Sequence, residues 1–358
     1  MKIMLIFPKD SEALFNDKSN KTFGGASVQM FLIAKELAKD SSLKIYSAIL
    51  DYPKICSSKK NKFNIVKVHK VKSNIIEKIE GYLFWINKIK PDIVIQHGLS
   101  QFTPFLALYC KMINVKFVYM FASDVEVEGK LQSDRKPCVF FPLLVKHAFL
   151  LVTQNKHQKK YLWKKFKKKT RLIYNGFEIK NFSKKKKDYV LWVSRCEKLK
   201  RPELFIDIAR MNPKIGFVMI CPKTKDIAFF NKIKSISKRV KNLKFIEFAP
   251  FDKINSYFAK AKFFINTSEY EGFPQTFIQA TMNSTPILSL NINPDDFIIK
   301  YNCGFYCNND FNLMIENMHN LIKNENLLRK ISKNAHTYAK NNHDIKKTVK
   351  ILLGELNG

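Results

Sequence analysis

The chain has 358 residues and is 46% hydrophobic, enough for two ordinary domains that each bury a core, and this excludes a single small binding module. The longest apolar run, 139–152, is broken by Lys146 and His147, short of the roughly 18 to 20 residues a membrane span requires. A net charge of +33 implies attraction to polyanions, whether nucleic acid, anionic lipid or nucleotide phosphates, although heavy use of Lys, Asn, Ile and Phe also fits A/T-rich codon bias.

Residues 1–7 are apolar but too few for a signal-peptide core, and they run into Lys9 and Asp10, so a cytoplasmic protein is expected. Short apolar runs then alternate with amphipathic stretches, the pattern of parallel sheets covered by helices. Strands are expected at 3–7, 43–50, 65–71, 93–96, 117–121 and 150–153, with helices at 28–38, 75–89 and 102–112. The alternation restarts at 189–193 after the lysine run 184–187, which reads as an exposed linker and sets a domain boundary near residue 180. Further strands are expected at 216–220, 243–248, 263–267 and 286–288, with helices at 202–209, 252–261 and 275–282. Pro202 and Pro274 stand at helix starts, where proline is tolerated. The tail, 311–353, reads as helix throughout. The seven cysteines are scattered, and Cys303 and Cys307 have no matching second pair, so free thiols are expected rather than zinc ligands or disulfides.

Three segments could carry chemistry. Gly24 and Gly25 precede the helix expected at 28–38, where bare backbone and a helix N-terminus suit an anion; a tight turn is the competing reading. The three-glycine dinucleotide fingerprint is missing, which argues against a nicotinamide or flavin enzyme. Arg195 and Lys200 follow the strand expected at 189–193, at the sheet edge where open α/β folds bind ligands, and two cations there suit a diphosphate. The third segment runs from Thr267 through Glu271, Gly272, Phe273, Pro274, Gln275 and Thr276 to Gln279. It places an acidic loop against a helix start, so that a carboxylate can hold sugar hydroxyls while the helix end neutralises a leaving phosphate. Glu271 and Gln279 are too far apart for a paired acid and base.

The run Glu271-Gly272-Phe273-Pro274, preceded by Ser268 and followed by Gln279-Ala280, resembles the donor-site motif of glycosyltransferase family 4, retaining enzymes of the GT-B fold. Arg195 and Lys200 resemble that family's diphosphate pair in spacing, Gly24 and Gly25 its first-loop glycines, and Tyr174-Asn175-Gly176 the segment that closes its N-terminal domain. The resemblance implies an α/β protein with two Rossmann-like domains facing across a cleft: an acceptor domain at 1–180, a nucleotide-sugar domain at 181–335, and a C-terminal helix at 336–358 returning to the first. It further implies that Glu271 binds donor-sugar hydroxyls, that the backbone of Phe273 to Thr276 holds sugar and phosphate, that Arg195 and Lys200 stabilise the leaving diphosphate, and that Gly25 faces that diphosphate. Asp124 and Glu126 are weaker candidates for acceptor contacts. No cofactor or catalytic metal is implied.

The chain departs from the family pattern at four places: Gln279 replaces a glutamate, Ser194 a glycine, Cys221-Pro222-Lys223 a glycine-rich turn, and Phe121-Ala122-Ser123-Asp124 occupies the place after an N-domain strand where the family often has a histidine. The Gln-Ala form is similar to that of bacterial surface-polysaccharide transferases. That likeness implies transfer from a nucleotide sugar to a saccharide or lipid-linked acceptor in surface polysaccharide or lipooligosaccharide synthesis.

Residues 156–169 hold eight lysines and no acid, interleaved with Tyr161, Leu162, Trp163 and Phe166. Such a helix could rest on the inner face of an anionic membrane, or it could turn Leu162 and Phe166 inward and leave its lysines solvated. A basic nucleic-acid binder is the rival from another class, but no DNA- or RNA-reading motif accompanies the charge. An epimerase or hydrolase of the same fold would share the donor residues and need no acceptor.

Overall fold

The computed structural model describes residues 1–16, 19, 21–52, 62–131, 136–180 and 187–357; most of the lysine run 184–187 and Cys56 lie outside them. The chain forms two compact units, 1–176 with 345–358, and 177–344.

Unit 1 is built on β1 (Lys2–Ile6), β2 (Lys44–Asp51), β3 (Asn64–Lys70), β4 (Ile93–His97), β5 (Lys116–Met120), β6 (Leu150–Thr153) and β7 (Arg171–Leu172). They form one parallel sheet ordered β3-β2-β1-β4-β5-β6-β7. Unit 2 repeats the plan with β8 (Tyr189–Val193), β9 (Phe217–Ile220), β10 (Leu243–Ile246), β11 (Ala261–Asn266), β12 (Ile287–Ser289) and β13 (Gly304–Tyr306), ordered β10-β9-β8-β11-β12-β13. Both orders are the Rossmann-like arrangement, in which the sheet grows outward in two directions from its first strand. The central strands are apolar on both faces because helices cover both: Ile3, Met4 and Leu5 of β1 and Phe263 and Ile265 of β11 are fully buried.

Local signals explain where the helices begin. Asn74 and Glu77 form a reciprocal capping box at the start of the helix Ile75–Ile89, with Asn74 Oδ1 accepting from Glu77 N at 2.9 Å. Pro202 occupies the first turn of Pro202–Met211, and Pro274 caps Gln275–Met282.

Several elements differ from the sequence reading. The edge strands β7 and β13 have two and three residues, too few to show a period. The helix Ile227–Lys238, capped by Asp226 and burying Phe229, Phe230 and Ile233, was not anticipated. The tail is three helices, Phe311–Lys323, Glu325–Asn342 and Ile345–Asn357, broken at Asn324, which caps the second of them, and at His343–Asp344. The second unit also runs past 335: Ile331, Ala335, Tyr338 and Ala339 keep one buried stripe going to the end of Glu325–Asn342, which packs on Gln275–Met282.

The chain leaves unit 1 at Gly176 and re-enters it at Ile345. A Cβ on Gly176 would lie 2.7 Å from Ile345 Cα and 2.6 Å from Thr348 Oγ1, so only glycine admits this approach. Thr348 Oγ1 donates to Tyr174 O at 3.2 Å, tying the returning helix to the same segment. Within unit 2, Phe177 N donates to His343 O at 2.7 Å. The six described cysteines are all buried free thiols. Among the described residues no helix is long and apolar enough to cross a membrane.

Candidate functional site

In each unit the strand order reverses beside the first strand, between β1 and β4 and between β8 and β11. The loops leaving the carboxyl ends of two such strands diverge to opposite faces and open a crevice, the usual ligand site of open α/β sheets.

In unit 2 the loops after β8 and β11 meet there. The Lys200 ammonium donates to Glu271 Oε1, which also accepts from Ser268 Oγ at 3.0 Å. Lys200 is nearly buried and the Glu271 side chain is 20% exposed, so the pair is screened from bulk water on one side and open on the other. A frame of hydrogen bonds between the two loops holds it. Thr267 Oγ1 accepts from Trp192 Nε1 at 2.9 Å and donates to Lys200 O at 2.7 Å, and Glu269 N donates to Leu199 O at 2.8 Å. Arg201, left-handed at φ 46°, donates from Nε to Thr267 O at 2.7 Å and from Nη1 to Asn309 Oδ1 at 3.0 Å. Sequence reasoning passed over Trp192, Thr267 and Arg201 as frame residues. Arg201 stands between Lys200 and Pro202 and could have been suspected as the turn residue before a helix-starting proline.

Arg195 lies on the same edge but outside the pair: its side chain is 48% exposed and sits 3.3 Å from Glu197 Oε1. Phe273 is buried, stacked on Phe297 at 5.4 Å, which anchors the Gly272–Pro274 corner. Gln275 and Thr276 form the first turn of Gln275–Met282, where a helix directs N–H groups outward. Gln279 sits further along that helix, nearly buried and outside the ion pair.

In unit 1 the loops after β4, β5 and β6 bring together a set of groups that is mostly neutral. Glu126, expected as an acceptor contact, is 1% exposed. Its Oε2 accepts from Tyr119 Oη at 2.7 Å and Ala122 N at 2.8 Å, and Oε1 accepts from Leu99 N at 3.2 Å. The carboxyl is therefore turned inward to clip the loops after β4 and β5 together, which corrects the expectation of direct contact. Burial outweighs these bonds and pushes its pKa up to about 7. Asp124 Oδ1 accepts from Asn155 Nδ2 at 2.9 Å and Gln158 Nε2 at 2.8 Å, so two of the three amides that follow β6 hold it in place. His97, at the end of β4, is buried; Nε2 faces the Gln154 amide nitrogen at 2.8 Å, and desolvation drops its pKa to about 4. His97 and Gln154 were not anticipated, because a lone histidine at a strand end carries no distinguishing pattern.

Gly24 caps the helix Gly25–Leu37. Asp10 lies against it: a Cβ on Gly24 would be 2.8 Å from Asp10 Oδ2, and Ser27 Oγ donates to Asp10 Oδ1. A carboxylate thus already complements this helix N-terminus.

Residues 176–338 match the family model described as glycosyl transferases group 1, and the match spans the whole Lys200–Glu271 frame. Residues 176–338 are similar to a group 1 glycosyl transferase domain, and this match makes the chain a glycosyltransferase. Solved structures share the fold of the glycosyltransferase at low identity. Sucrose-phosphate synthase from Thermosynechococcus elongatus is 13% identical, with a TM-score of 0.80 over 99% of this chain and 98% of that one. WaaG, a glycosyltransferase involved in lipopolysaccharide biosynthesis, is 15% identical, with a TM-score of 0.67 over the full length of both chains. UDP-GlcNAc 2-epimerase from Neisseria meningitidis, bound to UDP-GlcNAc, is 14% identical, with a TM-score of 0.65 over 99% of each chain. No curated protein matches the glycosyltransferase by sequence.

Proposed function

We propose that this glycosyltransferase is a retaining enzyme that moves a sugar from a nucleotide-sugar donor to a saccharide or lipid-linked acceptor, in surface polysaccharide or lipooligosaccharide assembly. The observation that carries the reading is the Lys200–Glu271 pair at the β8/β11 crevice, an ammonium beside a carboxylate in a half-desolvated loop frame. Lys200 and Arg195 would face the donor's diphosphate, Arg195 from a more exposed position that lets it swing onto a ligand. Glu271 would accept from donor-sugar hydroxyls, while the first turn at Gln275 and Thr276 gives its N–H groups to the phosphate or sugar. Gln279, uncharged, would hydrogen-bond the nucleoside part. The Gly24–Gly25 helix start of unit 1 offers further N–H groups, and an anion there has to compete with Asp10.

In such a transfer the bond from the anomeric carbon to the phosphate oxygen breaks as the bond to the acceptor oxygen forms on the same face. The acceptor's hydroxyl proton passes to the departing phosphate oxygen, giving a glycoside and a nucleoside diphosphate. Charge grows on the diphosphate in the transition state, so cations fixed in advance next to it lower the barrier.

The basic helix Lys156–Phe166 buries only Gln158 and Leu162, with Phe166 packed on Phe141 at 5.7 Å. Trp163 remains 50% exposed among lysines, which supports contact with an anionic membrane surface carrying a lipid-linked acceptor.

Thermal melting with UDP, GDP, ADP and CMP, on the native chain and Arg195→Ala, tests the donor site. Stabilisation by one nucleotide that weakens in the variant is expected; no stabilisation by any of them overturns the reading. The structural likeness to the 2-epimerase favours one alternative, in which the stabilising nucleotide's sugar conjugate is consumed with no acceptor present.

A further inference from the structure

Unit 2 has a cavity of about 330 Å³ lined by Tyr301, Asn334, Thr337, Tyr338, Asn341 and Asn342. Five of the six come from the helix Glu325–Asn342 at spacings of three, four, seven and eight residues, which gather them on one face; Tyr301 comes from the turn after Phe297–Lys300. None of the six carries a charge, in a chain with 63 lysines and arginines, and the helix keeps Arg329, Lys330, Lys333 and Lys340 at other positions.

The cavity's walls are set by the protein itself. Tyr338 is buried, stacked on Phe297 at 4.7 Å, with its hydroxyl 3.1 Å from His343 Nε2. Tyr301, 40% exposed, meets Tyr338 at 4.8 Å between ring centroids. Asn334 Nδ2 donates to Asn302 O at 3.3 Å and Asn342 Nδ2 to Tyr338 O at 3.0 Å. These bonds orient two amide planes and leave their carbonyl oxygens as acceptors, while Asn341 is exposed with both donor and acceptor.

This inventory selects a ligand class. A phosphate or carboxylate ligand calls for cations, which the lining lacks. A purely apolar ligand would leave the amides unpaired on desolvation. Vicinal hydroxyls on a ring with apolar CH faces satisfy both kinds of wall, amides for the hydroxyls and the exposed Tyr301 ring for the CH face. The volume, near the roughly 300 Å³ lower bound of small-molecule pockets, fits one sugar ring and not a long segment. Lys300 Nζ lies 5.5 Å from the Tyr301 centroid, an exposed contact weak enough to yield to a ligand.

We propose that the cavity between Tyr301 and the Asn334–Asn342 helix face is a second saccharide-binding site, distinct from the Lys200–Glu271 crevice, that holds one uncharged hexose unit of an oligosaccharide. Its occupancy does not depend on the donor-site assignment. In a glycosyltransferase it would hold an oligosaccharide by a second point and raise its local concentration.

The test is saturation-transfer NMR and calorimetric titration of the full chain with maltohexaose, tetra-N-acetylchitotetraose and an α-1,6-linked mannotetraose. Each titration is repeated with excess UDP and GDP, and with Tyr301→Ala and Asn341→Ala, whose native-like melting is checked first; both side chains are exposed, so either alone suffices. Binding of at least one oligosaccharide is expected, unchanged by the nucleotides and weakened about tenfold in the variants. Three outcomes overturn the proposal: no oligosaccharide binds, the variants bind as the native chain does, or nucleotide displaces the sugar and so places it in the catalytic site. Loss of nucleotide stabilisation, by contrast, would affect only the donor-site reading.

Discussion

In unit 2 the loops at the sheet's carboxyl edge set Lys200 against Glu271 with Arg195 nearby. In unit 1 the corresponding edge gathers His97, Glu126, Gln154 and the amides that hold Asp124. The strand order is the same in both over six strands, and unit 1 adds β7 at one edge. The electrostatics are opposite in kind: one edge keeps a largely buried Lys200–Glu271 ion pair beside a half-exposed Arg195, while burial pushes two titratable groups of the other towards neutrality, with Glu126 raised and His97 lowered. A shared scaffold therefore fixes where a ligand can sit, and loop side chains decide whether charge or neutral hydrogen bonding meets it.

The comparison breaks most readily at Glu271. With turnover assayed against the nucleotide sugar whose base stabilises the protein, Glu271→Ala is expected to reduce kcat by about 10² or more, as for loss of one preorganised polar contact, and Gln279→Ala by less. Equal, near-native rates in both variants would remove unit 2's edge from the chemistry.

The next largest effect is on stability and its sign depends on pH. The folded chain keeps the proton on Glu126 up to about pH 7, whereas an ordinary glutamate loses it near 4.5; its stabilising contribution is full below 4.5 and lost as pH rises to about 7. His97 runs the other way: its contribution is full above 6.5 and lost as pH falls to about 4. Between 4.5 and 6.5 the two slopes oppose each other. Glu126→Gln removes one of them, so the variant's stability relative to the native chain should climb by about 3 kcal/mol from pH 4.5 to 7, read by urea denaturation at stepped pH. Parallel curves would mean that Glu126 is not buried as described.

The smallest effect is expected at the lysine-rich helix, where Trp163→Ala should lower association with vesicles containing anionic phosphatidylglycerol several-fold and leave uncharged phosphatidylcholine vesicles unchanged. Sedimentation that does not differ between the two proteins would make this helix a solvated face.

The sequence carried much of the scaffold. Runs such as 93–96 and 189–193 read as strands because a sheet covered on both faces needs its apolar residues continuous, and they became Ile93–His97 and Tyr189–Val193. The helix Ile75–Ile89 was bounded by its periodicity and Gln275–Met282 by the proline at its start. Lys200 and Glu271 could be named as site candidates because each follows such a strand. The two-residue β7 and three-residue β13 escaped, since their existence depends on a neighbour to pair with.

What one dimension could not contain was which polar groups meet. Lys200 and Glu271 are 71 residues apart, and their contact exists only because β8 and β11 are neighbours in the sheet. Glu126 looked like a surface acid on a loop, and only the packing of Tyr119, Ala122 and Leu99 around it turned it inward and made it a clip. Residue type and period determine local structure through short-range sterics and hydrophobic burial; the protonation and reach of a side chain depend on desolvation and long-range neighbours, which only the folded chain supplies.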